Sequence, residues 1–112
     1  VKAATSQLTA AQLALDEARL LAQERAALSY HEWLAAQARA AQGESQAGVS
    51  EKVVEGYRMQ FRLARRQLLD LLNIQNESFG YQSAATTAVY DEKIARARLL
   101  SAMGGLAKRF AP

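Results

Sequence analysis

His31 and Glu32 begin the run HEWLA, which contains the first half of the zinc-binding pattern HExxH. In that pattern two histidines one helical turn apart bind the metal, and the glutamate acts as a general base. Ala35 stands where the second histidine is required, and the sequence has one histidine and no cysteine. We therefore expect no metal site, and we expect His31 to be an ordinary surface residue of a helix.

Nucleophilic and acid–base catalysis are equally unsupported. A serine nucleophile needs a neighbouring base and a group that orients it, and the single histidine lies in an ordinary helical context. Asp91 and Glu92 are adjacent, so a helix points their carboxylates to different sides. No glycine-rich run has the spacing that cradles phosphates. The sequence predicts neither an enzyme nor a cofactor.

The segment YRMQFRLARRQLLDLLNIQNE, residues 57–77, combines four arginines with a block of leucines. Arg58, Arg62 and Arg65 would share one helical face, and Arg66 follows directly. One hypothesis is therefore a free-standing helical bundle that binds a partner helix or the phosphates of a nucleic acid through this face. The net charge of +3 is small, however, and acids are interleaved with the basic residues over most of the chain. The prediction that we favour involves no nucleic acid.

Long helices must position this segment. Alanine and leucine dominate a chain that is 50% hydrophobic, has one proline and shows no period-two alternation, so we predict an all-α fold. Two seven-residue stripes of apolar residues mark the first helix, and so wide a band suits a helix with close neighbours on two flanks. The stripes are Leu13, Leu20, Ala27, Leu34 and Ala41, and Ala14, Leu21, Leu28 and Ala35.

The pattern divides the chain into four parts. The first helix covers residues 1–63, with a possible weak point at 43–50, where two glycines each cost about 1 kcal/mol relative to alanine. The run LARRQ interrupts the pattern and predicts a turn at 64–67, followed by a return helix over 68–104 that MGGL ends with a glycine cap, and by a tail at 105–112. A third stripe marks the return helix, with members Ile74, Tyr81, Ala88, Ala95 and Ala102, flanked by Leu71, Ala85 and Leu99. The prediction is a long antiparallel helical hairpin.

The central segment resembles the TolC family of outer-membrane channels, in particular its type I secretion and agglutination-protein branch. That branch carries a tyrosine, then Gln-Phe, then Leu-Gly-x-Arg-Ser-Leu-Leu-Asp-Leu-Leu-Asn-x-x-Asn-Glu. The matching residues are Tyr57, Gln60, Phe61, Leu63, Arg66, Leu68, Leu69, Asp70, Leu71, Leu72, Asn73, Asn76 and Glu77. Downstream, Tyr90, Asp91, Arg98, Leu99, Leu100, Ala102, Met103 and Gly104 match the family's return helix.

The resemblance implies a coiled-coil α-barrel segment of a TolC-like channel. Family members are longer, form homotrimers, and join an outer-membrane β-barrel to an α-helical barrel in the periplasm. This chain would be the final periplasmic hairpin of the second repeat, an excised segment of a longer protein, as its start at Val1 also suggests. The implied partners are a periplasmic adaptor protein and an inner-membrane transporter. A coiled-coil spacer without gating is the third hypothesis.

The resemblance also implies functional positions at the turn, which in the family is the periplasmic tip that closes the channel. Arg66, Asp70, Asn73 and Phe61 would belong to the gating network, and Leu63, Ala64, Arg65 and Gln67 to the adaptor-docking surface. Better-known relatives have tyrosine and aspartate where Phe61 and Asn73 stand, so one phenolic hydrogen bond and one acid are absent. Ala64 replaces a common turn glycine, which costs about 1 kcal/mol if that residue needs a positive φ. Arg65 is additional to the family pattern.

Overall fold

Two long α-helices make up the computed structural model, which describes residues 1–110. Helix α1 spans Lys2–Arg62 and helix α2 spans Leu68–Phe110, and together they form an extended hairpin without strands in the described residues. The predicted all-α hairpin is confirmed. None of the helical stretches in these residues has the length and hydropathy needed to cross a bilayer.

Neither helix breaks at its glycines. Helix α1 runs through Gly43 and Gly48 without interruption, so the weak point is not a loop. Helix α2 also continues through Gly104 and Gly105 as far as Phe110. The predicted helix end at 104 is therefore wrong, because a glycine cap needs a positive φ and no described glycine has one. Residues 111 and 112 of the predicted tail lie outside the described residues.

The chain divides into two compact units. One, here called the tip unit, is Leu34–Ile94 and contains the turn; the other, the terminal unit, combines Val1–Trp33 with Ala95–Pro112. Inside the tip unit, most of the buried and half-buried residues recur at spacings of three, four or seven, which is the pattern of a coiled-coil seam. The seam residues are Ala36, Ala40, Gly43, Ala47, Ser50, Val54 and Tyr57 on α1, and Leu71, Ile74, Ser78, Ala85, Ala88 and Glu92 on α2.

A polar layer crosses the seam of the tip unit. The hydroxyl oxygens of Ser50 and Ser78 lie 3.0 Å apart, and the Ser50 hydroxyl also donates to the carbonyl of Ala47 at 2.7 Å. Because that donation uses the only Ser50 hydroxyl proton, Ser78 must be the donor between the two serines. The Gln82 amide donates to Ser78 at 3.3 Å and to the Glu51 carboxylate at 3.2 Å. The hydroxyl of Ser78, a residue only 5% exposed, is thus fully partnered.

The terminal unit packs on a similarly narrow seam. Its one buried apolar side chain among the described residues is Leu99 on α2, and the half-buried positions of α1 are again three and four residues apart: Ala22, Ala26, Ser29 and Trp33. The leucines of the two predicted stripes lie elsewhere, since Leu13, Leu20, Leu21 and Leu28 are each 56–61% exposed. The α1 stripes are therefore not the surface that packs against α2.

Candidate functional site at the helical turn

Backbone hydrogen bonds close the end of α1. The Arg65 amide donates to the Gln60 carbonyl at 2.8 Å, and the Ala64 amide donates to the Phe61 carbonyl at 3.0 Å. These two bonds, spanning five and three residues, define a Schellman motif. The motif satisfies carbonyls that the helix leaves unpaired at its end and reverses the chain within residues 63–67.

Ala64 occupies the left-handed position of this motif, with a φ of 58°. It is the only described non-glycine residue with a positive φ. Glycine is favoured at such a position because its missing Cβ avoids a clash with the following carbonyl. The cost predicted for Ala64 depended on a positive φ, and Ala64 has one. The turn therefore carries backbone strain of about 1 kcal/mol.

Replacing Ala64 with glycine is expected to stabilise the chain by up to about 1 kcal/mol, because relief of the strain exceeds the extra entropy lost by glycine. The matched control is Ala84→Gly, on an exposed part of α2, which should destabilise by about 1 kcal/mol. Urea unfolding followed by circular dichroism measures both. A loss of stability in both variants would show that Ala64 is unstrained in solution.

Helix α2 begins directly after the turn. The Gln67 carbonyl accepts a hydrogen bond from the Leu71 amide at 3.3 Å, which makes Gln67 the residue that opens the helix. Asp70 is the acidic residue of the first turn. A carboxylate there interacts favourably with the partial positive charge of a helix N-terminus. This local role exists in the single chain, whatever else Asp70 contacts.

Arg66 is turned back toward α1. Its Nε donates to the Gln60 side-chain oxygen at 2.6 Å, and its guanidinium carbon lies 4.2 Å from the centre of the Tyr57 ring. Arg66 and Asp70 line one shallow groove, together with Gln60, Ala64, Arg65 and Gln67. Asp70 forms no ion pair or hydrogen bond with Arg66 in the part of the chain that the structure describes. These two predicted members of the gating network are thus not linked to each other within one chain.

The other arginines of the segment divide into two kinds. Arg58 forms an ion pair with Glu55 at 2.8 Å, three residues earlier on α1. Both side chains are substantially exposed, so the pair contributes little to stability. Arg62 and Arg65 are exposed. With Arg58 and Arg66 engaged inside the chain, a smaller basic face remains for phosphate groups than the sequence alone indicates.

The remaining predicted site residues lie on the surface. Leu63 is 60% exposed and Phe61 is 39% exposed, and the other positions singled out at the turn that are exposed to solvent are Ala64, Arg65, Gln67 and Asn73. Phe61 and Asn73 do not line the groove of Arg66 and Asp70. Tyr57 and Gln60 have no role in the predictions made from the sequence. The two residues are three positions apart and therefore share one face of α1, the face to which the chain returns after the turn. This shared face is the feature of the sequence that could have identified them.

No group of three or more potential metal-ligating side chains occurs within residues 1–110. Comparison of the chain with protein-family models, with curated proteins and with solved structures gives no match.

Proposed function

We propose that this chain is the periplasmic α-barrel portion of a trimeric outer-membrane channel, similar to the TolC family, that serves type I secretion or efflux. The turn would lie at the periplasmic entrance, where it gates the channel and docks an adaptor protein linked to an inner-membrane transporter. The single observation that carries the proposal is the exposure of apolar rows on α1 that face away from the seam.

The direction of those rows favours a single layer of helices. With successive helical residues about 100° apart, Leu13 and Leu20 lie about 160° around α1 from the centre of the terminal unit's seam, and Leu21 and Leu28 about 120°. A compact four-helix bundle would place the neighbours of one helix about 90° apart. Apolar rows so far from the seam suit a helix flanked on nearly opposite sides, as in the wall of a barrel.

The turn supports the gating part of the proposal. Asp70 has no partner within the described chain, so its carboxylate is available for a link to a neighbouring helix. A partly exposed arginine–carboxylate link contributes about 1 kcal/mol, which is enough to hold an entrance closed in three copies and weak enough to be released. Leu63, Ala64, Arg65 and Gln67 form the exposed surface on which an adaptor would dock.

The test is a charge reversal at Asp70 in the full-length channel. Asp70→Lys should weaken the closed entrance and make cells several-fold more sensitive to antibiotics too large to pass the closed channel. Glu77→Lys is the control, since Glu77 is an exposed acid of α2 two turns further from the entrance. Equal sensitivity of the Asp70→Lys and wild-type strains, with equal amounts of channel in the outer membrane, would refute the gating role.

A further inference from the structure

Arg66 is fixed by two contacts that use only part of its guanidinium group. The Arg66 Nε–H group donates to the Gln60 side-chain oxygen, with 2.6 Å between nitrogen and oxygen. The Tyr57 ring covers one face of the guanidinium group, whose central carbon lies 4.2 Å from the ring centroid. The two terminal nitrogens have no hydrogen-bond partner among the residues that the structure describes. Those nitrogens carry the four remaining donors of the group. The unoccupied part of Arg66 is therefore the edge that binds a carboxylate through two parallel hydrogen bonds.

The carboxylate that lines the same groove does not use this edge. Asp70 borders the same groove yet makes no ion pair with Arg66. Its position in the first turn of α2 already gives its negative charge a favourable environment. The hairpin thus holds a basic group in a defined orientation and leaves its binding edge open.

We infer that Tyr57 and Gln60 are positioning residues that hold Arg66 as a preformed receptor for a carboxylate of a second polypeptide. The inference deepens the proposed function, which places other helices next to the turn. A free arginine must lose side-chain entropy when it binds a carboxylate in one geometry. Arg66 has already lost much of that freedom by stacking on Tyr57 and bonding to Gln60, so it binds such a group more tightly than an unrestrained arginine does.

Arg62 and Arg65 provide internal controls. Both carry the same charge within four residues of Arg66, and both are exposed. General attraction of anions to the basic segment acts on all three arginines alike. A response confined to Arg66 therefore reports its orientation and not the local charge.

The probe is acetate, and the observable is the side-chain Nε–H signal of each arginine in the nitrogen-15-labelled 112-residue chain. Sodium acetate is compared with sodium chloride at equal ionic strength. We expect acetate to shift the Arg66 signal at least about twice as far as the signals of Arg62 and Arg65, because the restrained arginine binds acetate more tightly. Equal shifts for the three arginines would overturn the inference.

Substitutions then separate positioning from a purely structural role. Tyr57→Leu and Gln60→Met should each weaken acetate binding at Arg66 by about three- to fivefold, the loss expected for one stacking or hydrogen-bond contact. Tyr57→Phe keeps the ring and should retain wild-type binding. If Tyr57→Leu lowers the melting temperature but leaves the acetate response of Arg66 unchanged, Tyr57 only stabilises the turn and the assignment is wrong.

The source of the natural carboxylate is identified by sedimentation equilibrium of the same chain. If a second copy supplies it through Asp70, the chain self-associates, and Asp70→Asn or excess acetate abolishes the association. A chain that binds acetate at Arg66 and stays monomeric assigns the carboxylate to a different protein. Both results support a receptor at Arg66.

This experiment is independent of the channel. A null acetate response removes the receptor and leaves the Asp70→Lys permeability test as it was. Conversely, unchanged permeability in the Asp70→Lys strain removes the gating role, while a selective shift at Arg66 still establishes a carboxylate-binding turn. The two failures are therefore distinguishable.

Discussion

Replacing Leu71 with alanine should lower the free energy of unfolding of the 112-residue chain by about 2–3 kcal/mol, which lies in the lower part of the range of about 2–5 kcal/mol for removing a buried leucine side chain. Leu71 is 7% exposed and lies in the first turns of α2. Across the described seam of the tip unit, only Val54 among the other buried apolar residues is larger than alanine. Leu71 therefore has few large buried partners to lose, which places the loss in the lower part of the range.

Leu72 is the matched control for this substitution. It has the same side chain, is adjacent in sequence and is 51% exposed. Leu72→Ala should change stability by no more than about 0.5 kcal/mol, because little apolar surface returns to water. Urea unfolding at a concentration where the chain is monomeric measures both variants. Equal losses at 71 and 72 would show that the seam is not the one described.

The pattern on α2 predicted its packed face well. Ile74, Ala88, Ala95 and Ala102 of its stripe are half-buried, and both flanking leucines, Leu71 and Leu99, are buried. The seven-residue spacing of this stripe matches the repeat of a coiled-coil contact, whereas other large apolar residues of α2, such as Phe79, Tyr90 and Ile94, are exposed. Tyr81 is the exception at 47% exposure.

The same reasoning on α1 identified a different surface. The leucine rows are its strongest hydrophobic signal, yet the seam consists mainly of alanine, glycine and serine, for example Ala36, Gly43 and Ser50. Such small residues score weakly on any hydropathy scale, and they are selected because they let two helix backbones approach closely. Hydrophobicity shows which faces of a helix avoid water. It does not show which of those faces belongs to the hairpin.

At the turn, the residue types allowed a prediction about the backbone but not about the side-chain contacts. The resemblance implied a strained residue at Ala64 if its φ is positive, and the structure shows a φ of 58°. The partners of Arg66 could not be predicted from the sequence, because a long, charged side chain can reach several groups at similar free-energy cost. Only the path of the backbone through the turn brings Arg66 over Tyr57 and Gln60.

Replacing Gly43 with leucine should destabilise the hairpin by about 2–3 kcal/mol, the cost of forcing extra volume into a packed contact. A Cβ added at Gly43 would lie 3.2 Å from the Cα of Ala85 and 3.7 Å from its Cβ. The nearest atom is backbone, so no side-chain rotation relieves the contact and the two helices must move apart. Separation would also stretch the Ser50–Ser78 hydrogen bond, which is now 3.0 Å.

Gly48→Leu separates this packing effect from helix propensity. Gly48 lies on the same helix, five residues further along, and an added Cβ there meets no atom within 4 Å. Leucine should therefore stabilise the chain at this position by up to about 1 kcal/mol, the gain in helix propensity over glycine. Thermal unfolding should move in opposite directions for the two variants, by several degrees each at about 4 °C per kcal/mol. If both variants gain stability by a similar amount, helix propensity is the only effect of leucine at either position. That result would mean that α1 and α2 do not approach each other at Gly43 in solution.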